Sequence, residues 1–166
     1  SAFYNARPNG TGAIITVKAS EALQAESYEI SCGNNEIIIS ASDSRGAHHA
    51  FASLLQLSEE NDGRIYISGA EIKDAPHCPY RGLMIDVARC EHSIDFLYDY
   101  IDICYYFKLA SLQIHFTEDK AFTLPIGPFS KLNDKYFYTK QQLKALSQYA
   151  FERGITLIPE MDVPGH

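Results

Sequence analysis

Three short stretches in the second half of this chain put ionisable side chains directly in or behind apolar residues. Asp86 and Arg89 accompany "GLMIDVA" (Gly82 to Ala88), and His115, Glu118 and Asp119 accompany "SLQIHFT" (Ser111 to Thr117). Glu160, Asp162 and His166 lie in "ITLIPEMDVPGH" (Ile155 to His166). Carboxylates and imidazoles are the side chains that move protons near neutral pH. A guanidinium presents a rigid fork of donors that holds hydroxyls or a carboxylate in one orientation. Arg89 is therefore a candidate binding residue, the alternative being a purely structural pair with Asp86. Strand alternation gives His115 and Thr117 one face and Phe116 the other. A lone histidine in such a place is more often a satisfied core group, and two adjacent loop acids are often only solvated.

The third stretch is the most specific. Pro159 is expected to disfavour further strand pairing. Pro164-Gly165 forces a turn just after Asp162, so His166 is delivered over the strand end rather than into a helix. His115, Glu118 and His166 offer a His-carboxylate-His set, which leaves open a metal-dependent barrel enzyme. The chain has no H-E-x-x-H and no helical i,i+4 histidine pair, however, and no metal is expected. His48 and His49 are adjacent and diverge around a helix. Glycine-rich phosphate loops are absent, so no nucleotide cofactor is expected either.

These residues need elements to position them. From "GLMIDVA" onward the pattern reads strand, helix, strand, helix, strand. The first strand is expected to be buried on both faces. The first helix lies in "SIDFLYDYIDICYYFKLA", with Ser93 as N-cap and Phe96, Leu97, Tyr100, Ile101 and Cys104 at helical spacing. The second lies in "TKQQLKALSQYAFERG", with Thr139 and Gln142 at capping-box spacing and Gly154 at its close. Such a parallel arrangement belongs to an open doubly wound sheet or to the start of an eight-stranded barrel, and in both the chemistry sits at the carboxyl ends of the strands.

Residues up to about Ala75 have a different rhythm. "AIITVKAS" (Ala13 to Ser20) alternates as a strand, and "SYEISCGNNEIIISAS" (Ser27 to Ser42) reads as a hairpin whose arms flank Gly33-Asn34-Asn35, residue types that tolerate the positive φ of a tight turn. "SDSRGAHHAFASLLQLSEE" reads as a helix with Ala47, Ala50, Phe51, Leu54, Leu55 and Leu57 mostly on one face, and "GRIYISGAEIKDAP" returns to strand. The prediction is a small α+β domain over 1–75, then an α/β domain over 76–166 after the proline-rich "DAPHCPYRG".

Composition narrows the partners. A formal charge of −7, with 14 scattered Lys and Arg, would repel phosphates, so nucleic acid and anionic membrane are not expected partners. The longest apolar runs fall far short of the roughly 20 residues that span a bilayer, and no signal peptide opens the chain. Cys32, Cys78, Cys90 and Cys104 lack zinc or C-x-x-C spacing and are read as buried thiols.

The stretches "YRGLMIDVAR", "SLQIHFTED" and "YTKQQLKALSQYAFERGITLIPEMDVPGH", in this order, resemble glycoside hydrolase family 20, the exo-acting β-N-acetylhexosaminidases. "ESYEISCGNNEIIISASDSRGAHHAFASLLQL" is similar to the small α+β domain that precedes the barrel in that family. The resemblance implies a TIM (β/α)8 barrel of which 76–166 holds strands 1 to 3. It implies Arg89 as a grip on hydroxyls of the terminal sugar, and Glu118 and Asp119 as the paired acids after the second strand. His166 would share their hydrogen-bond network with the catalytic acid, and Asp162 would be the carboxylate of the same motif. Glu118 stands where an aspartate is usual, and "KAF" (Lys120 to Phe122) replaces a Gln-Gly-Trp-like stretch.

The implied substrates are oligosaccharides or glycoconjugates ending in β-linked GlcNAc or GalNAc. In the implied mechanism the 2-acetamido oxygen of the substrate is the nucleophile. The implied setting is secreted, periplasmic or lysosome-like. The Asp-Glu pair that would orient the acetamido group and protonate the leaving oxygen has no counterpart, because the chain contains no Asp-Glu dipeptide. With no Trp it also lacks the aromatic walls that the resemblance implies around the sugar. The expectation is an N-terminal fragment, inactive alone and prone to dimerise or aggregate through its open sheet. A non-catalytic sugar-binding module anchored on Arg89 is the alternative.

Overall fold

A computed structural model describes residues 2–6, 12–33, 35–133 and 136–164. The chain divides into two compact units, Ser1–Pro79 and Tyr80–His166. In the first, strands β1 (Ala2–Ala6), β2 (Ile14–Ala19), β3 (Tyr28–Cys32), β4 (Glu36–Ala41) and β7 (Glu71–Asp74) form one sheet in the order β1-β2-β4-β3-β7. Helix α1 (Ser44–Leu57) packs against it. The hairpin read from the sequence is present, with Ile30 opposite Ile39. At its turn neither Gly33 nor Asn35 takes a positive φ, and Asn34 lies outside the described residues.

A left-handed turn lies between β5 (Ser58–Asn61) and β6 (Arg64–Ile67), where Asp62 and Gly63 have φ of 51° and 70°. Two consecutive positive φ angles match the twist of a two-residue hairpin. "SEE" is therefore strand rather than helix, and "GRIYISGAEIKD" divides between β6, in this separate ribbon, and β7, in the main sheet.

Val17, Tyr28, Ile30, Ile37, Ile39, Ala50 and Leu54 form the core of this unit. On α1, Ala47, Ala50, Phe51 and Leu54 follow the i, i+3, i+4, i+7 stripe, whereas Leu55 is rotated off it and is 55% exposed. Asp43 caps the helix by accepting from the Gly46 N–H at 2.8 Å, and its other oxygen accepts from the Glu26 N–H at 2.8 Å. Burial alone would raise its carboxyl. These backbone donors outweigh that effect and hold it below the usual carboxylate range.

The second unit is β8 (Gly82–Asp86), α2 (Ile94–Tyr106), β9 (Ser111–His115), a 3-10 turn (Gly127–Leu132), α3 (Lys140–Phe151) and β10 (Thr156–Glu160). The three strands are parallel, with β9 in the centre. Both helices cover the same face. Leu97, Ile101 and Cys104 of α2, with Leu146 and Ala150 of α3, share one core with Ile85, Leu112 and Ile114. Each large aliphatic side chain buried there contributes about 1.5–3 kcal/mol. Strands in sequential order with both crossovers on one face are the layout of a barrel's opening strands. A doubly wound sheet carries helices on both faces.

The caps at Ser93 and Thr139–Gln142 are as read from the sequence. Three other expectations are corrected. β8 is buried on one face only, since Met84, on the other, is 59% exposed. Pro159 does not end pairing, because it sits opposite Ile114 inside β10. The Glu160 carbonyl accepts from the Phe116 N–H, so by alternation the Pro159 nitrogen faces away from β9. Of the four cysteines only Cys104 is fully buried, and burial pushes its thiol up to about 11; Cys32 is half-buried, and Cys78 and Cys90 lie exposed in the segments flanking β8. No helix among the described residues is long and apolar enough to cross a membrane.

Gly46 is required by contact rather than by φ: a Cβ there would lie 2.5 Å from the Ser27 carbonyl oxygen. Gly46→Ala must push the helix start off backbone, an overpacking that costs about 1–3 kcal/mol. A urea titration of the variant should show the first unit destabilised by that amount, with the circular dichroism of the native state unchanged.

Candidate active site

Parallel register builds the site. Asp86, His115 and Glu160 are paired residues across β8, β9 and β10. As the last residues of their strands they stand in one row on the face opposite the helices. Two places back on the same face, Gln113 donates its amide to Glu160 Oε2 at 2.5 Å. Two places forward, the Thr117 hydroxyl accepts from the Asp162 N–H at 2.8 Å. Phe116, between them, is buried in the helix-side core, as alternation requires.

Asp86 organises the loop behind β8. Its Oδ1 accepts from the N–H groups of Ala88 and Arg89, each at 2.9 Å, and its Oδ2 takes the Arg89 guanidinium at 2.7 Å. Desolvation favours the neutral carboxyl. The two N–H donors and the charge of Arg89 outweigh it, so Asp86 titrates below the usual range. The second guanidinium nitrogen of Arg89 bonds Glu118 Oε1. Arg89 is thus clamped between carboxylates from two strand ends, one nearly buried (Glu118 side chain 4% exposed) and one partly open. With Arg89 itself 42% exposed, each pair contributes only about 0–1 kcal/mol to stability, so the clamp chiefly fixes direction.

His115 is the hub of the remaining groups. Its Nδ1 lies 3.2 Å from Glu160 Oε1 and 3.9 Å from Asp162 Oδ1, and its Nε2 lies 3.6 Å from Glu118 Oε1. The hydrogen bond from Gln113 has the largest influence on Glu160. Desolvation acts the other way, His115 supports Gln113, and the carboxyl is held below its ordinary value.

Arg89, Glu118 and Asp162 are therefore brought together around His115. Asp119 is not drawn in: it is exposed, and its N–H bonds Glu118 Oε2 at 3.0 Å. His166 lies outside the described residues. The sequence reading missed Gln113, although two-residue alternation from His115 points to it. It also missed Tyr136, whose hydroxyl bonds the carbonyls of Val87 and Ala88; no local pattern signals that contact. Among the described residues His115, Glu160 and Asp162 bring metal-ligating atoms within 4.8 Å of one another. His115 Nδ1 is already directed at Glu160, and Glu160 already holds Gln113.

Residues 78–166 match the glycosyl hydrolase family 20 catalytic domain, and residues 2–75 match domain 2 of the same family. The chain belongs to glycosyl hydrolase family 20. Among family 20 relatives it is 31% identical to a beta-hexosaminidase of Vibrio furnissii over 98% of its own length and 30% of that protein. It is 32% identical to a beta-hexosaminidase of Porphyromonas gingivalis over 96% of its own length and 23% of that protein. It superposes with a TM-score of 0.86 and 30% identity on the family 20 exo β-N-acetylglucosaminidase of Vibrio harveyi, solved in complex with N-acetylglucosamine, covering 92% of this chain and 28% of that one. The chain thus spans about a third or less of the length of these relatives.

The lowered values of Asp86 and Glu160 set the sign of a pH effect. A carboxyl that titrates lower folded than unfolded adds stability that is complete above the unfolded value of about 4 and is lost as pH falls through the folded one. Acidification below about pH 5 should lower the urea midpoint of the second unit. Asp86→Asn should be less stable near neutrality and lose less on acidification; equal acid slopes would contradict the assignment.

Proposed function

We propose that these residues are part of an exo-β-N-acetylhexosaminidase acting on oligosaccharides or glycoconjugates that end in β-linked GlcNAc or GalNAc. The observation that carries this reading is the clamped guanidinium of Arg89 at the carboxyl end of a parallel sheet, in a chain of family 20. Fixed in direction by Asp86 and Glu118, the Arg89 guanidinium is the donor that meets hydroxyls of the terminal sugar. Residues 76–166 are strands 1 to 3 of a (β/α)8 catalytic domain, and 1–75 are the small domain ahead of it. Asp119 and Glu118 are the paired acids of the site, Asp162 a further sugar-facing carboxylate, and His166 the histidine that joins their network.

Chemistry follows the substrate-assisted course. The acetamido carbonyl oxygen attacks the anomeric carbon and the glycosidic C–O bond breaks. The leaving oxygen takes a proton from a glutamic acid, and water then opens the oxazolinium-like intermediate with retention. Intramolecular attack in good geometry can supply about 7–11 kcal/mol of the barrier lowering. The Asp-Glu pair this scheme needs does not occur in the 166 residues. A polypeptide of these residues alone is accordingly inactive, and its sheet, open along β8 and β10 and on the Met84 face, self-associates. Light scattering checks the last point, a monodisperse monomer being the contrary result.

The test of function is turnover of 4-nitrophenyl N-acetyl-β-glucosaminide and its galactosamine epimer by the product of the full reading frame. Arg89→Ala should lower kcat/KM about 10- to 100-fold, as expected for charged-donor hydrogen bonds. Tight sugar binding without turnover would instead indicate a binding module.

A further inference from the structure

The turn that carries Arg89 has its backbone polar groups satisfied from three directions. The Val87 N–H donates to the His115 carbonyl at 3.1 Å. The N–H groups of Ala88 and Arg89 donate to Asp86. The carbonyls of Val87 and Ala88 share the single proton of one hydroxyl, that of Tyr136, in a three-centre bond at 3.0 and 2.9 Å. Val87 and Ala88 are 0% and 1% exposed, so water is a poor substitute at these carbonyls. Tyr136 comes from the long connection between β9 and α3, 48 residues further along the chain from Ala88. That connection crosses to the same loop a second time at Tyr138, whose hydroxyl donates to the His92 carbonyl at 2.7 Å. It is anchored behind by Asn133, which donates to the Phe122 and Leu124 carbonyls, and by the Tyr138 N–H on the Thr123 carbonyl.

We infer that Tyr136 is a positioning residue for sugar binding: it fixes the turn from which Arg89 projects and so sets where the guanidinium meets the sugar hydroxyls. Asp86 holds the donors of this turn and Tyr136 holds its acceptors, so the two act as opposite jaws. Tyr136 stays a donor across the working pH range. Desolvation raises its phenol above the ordinary value, and nearby Glu91, Cys90 and Asp86 add to the effect. Tyr138, more deeply buried and pushed up to about 12, bonds three residues past Arg89 and serves the stability of the loop rather than the direction of the arginine.

The inference rests on the hexosaminidase reading, and the experiment separates the two. In the product of the full reading frame, Tyr136→Phe keeps the ring and removes the hydroxyl. It should raise KM for 4-nitrophenyl N-acetyl-β-glucosaminide about five- to tenfold with kcat changed less than about twofold, the pattern of lost ground-state and transition-state binding alike. Tyr138→Phe should lower Tm and leave KM unchanged. An unchanged KM in Tyr136→Phe, or equal KM shifts in both variants, overturns the inference. If the wild type has no hexosaminidase activity, the functional reading fails by itself. The positioning role is then read from the Arg89 Nε–H signal in 15N NMR of the same protein. Loss or broadening of that signal in Tyr136→Phe, but not in Tyr138→Phe, supports the role, and an unchanged signal overturns it.

Discussion

The carboxylate of Asp86 is the constraint from which the site is built. It ends β8, so the parallel register in which the buried Ile85 and Ile114 pair also fixes its height. One of its oxygens closes the following turn on two backbone N–H groups, and the other aims the Arg89 side chain back across the sheet. From there the contacts run through Glu118 to His115 and on to Glu160 and Gln113. A one-residue slip of β8 against β9 would exchange its two faces and send Asp86 into the helix-side core. The apolar core on one side of the sheet is thus what keeps the polar row on the other side in line.

This arrangement determines what kind of donor Arg89 is. A bare guanidinium at the mouth of a site attracts anions. Here two carboxylates neutralise it at contact distance, and Glu160 and Asp162 stand beyond them around His115. A ligand carboxylate would compete with groups already in place and would meet their charge. A neutral hydroxyl would meet no such opposition, because it can both accept and donate. The formal charge of −7 adds a long-range field of the same sign.

Much of this was legible from local pattern. Caps at Ser93 and Thr139, the Ile30–Ile39 hairpin and the alternation of His115, Phe116 and Thr117 are rules that operate within a few residues. Failures came where pattern and packing diverge. Leu55 matches a helical apolar count yet sits beside the buried stripe, and "SEE" continues the helix in propensity while the Asp62-Gly63 turn draws it into a hairpin. Pro159 survives inside a strand because pairing on its β9 side does not use its nitrogen. Asp86, His115 and Glu160 end their strands, Arg89, Glu118, Asp119 and Asp162 follow within a few residues, and His166 lies outside the described residues. What joins them could not be read, because Glu118 reaches Arg89 across 29 residues and Tyr136 reaches Ala88 across 48.

Glu118 shows how a small departure is absorbed. An aspartate, the residue usual at this place by resemblance, would hold its carboxylate one methylene closer to the loop backbone. The longer glutamate side chain is almost fully buried, with one oxygen on Arg89 and within 3.6 Å of His115 Nε2, and the other accepting from the Asp119 N–H. Its extra reach is used inward, under the guanidinium, rather than outward toward a ligand. Asp119, whose backbone is held by that same carboxylate, is left exposed with its side chain uncommitted to this clamp. The two adjacent acids therefore have different mechanical roles. One sets the position of the arginine, and the other stands exposed beside it.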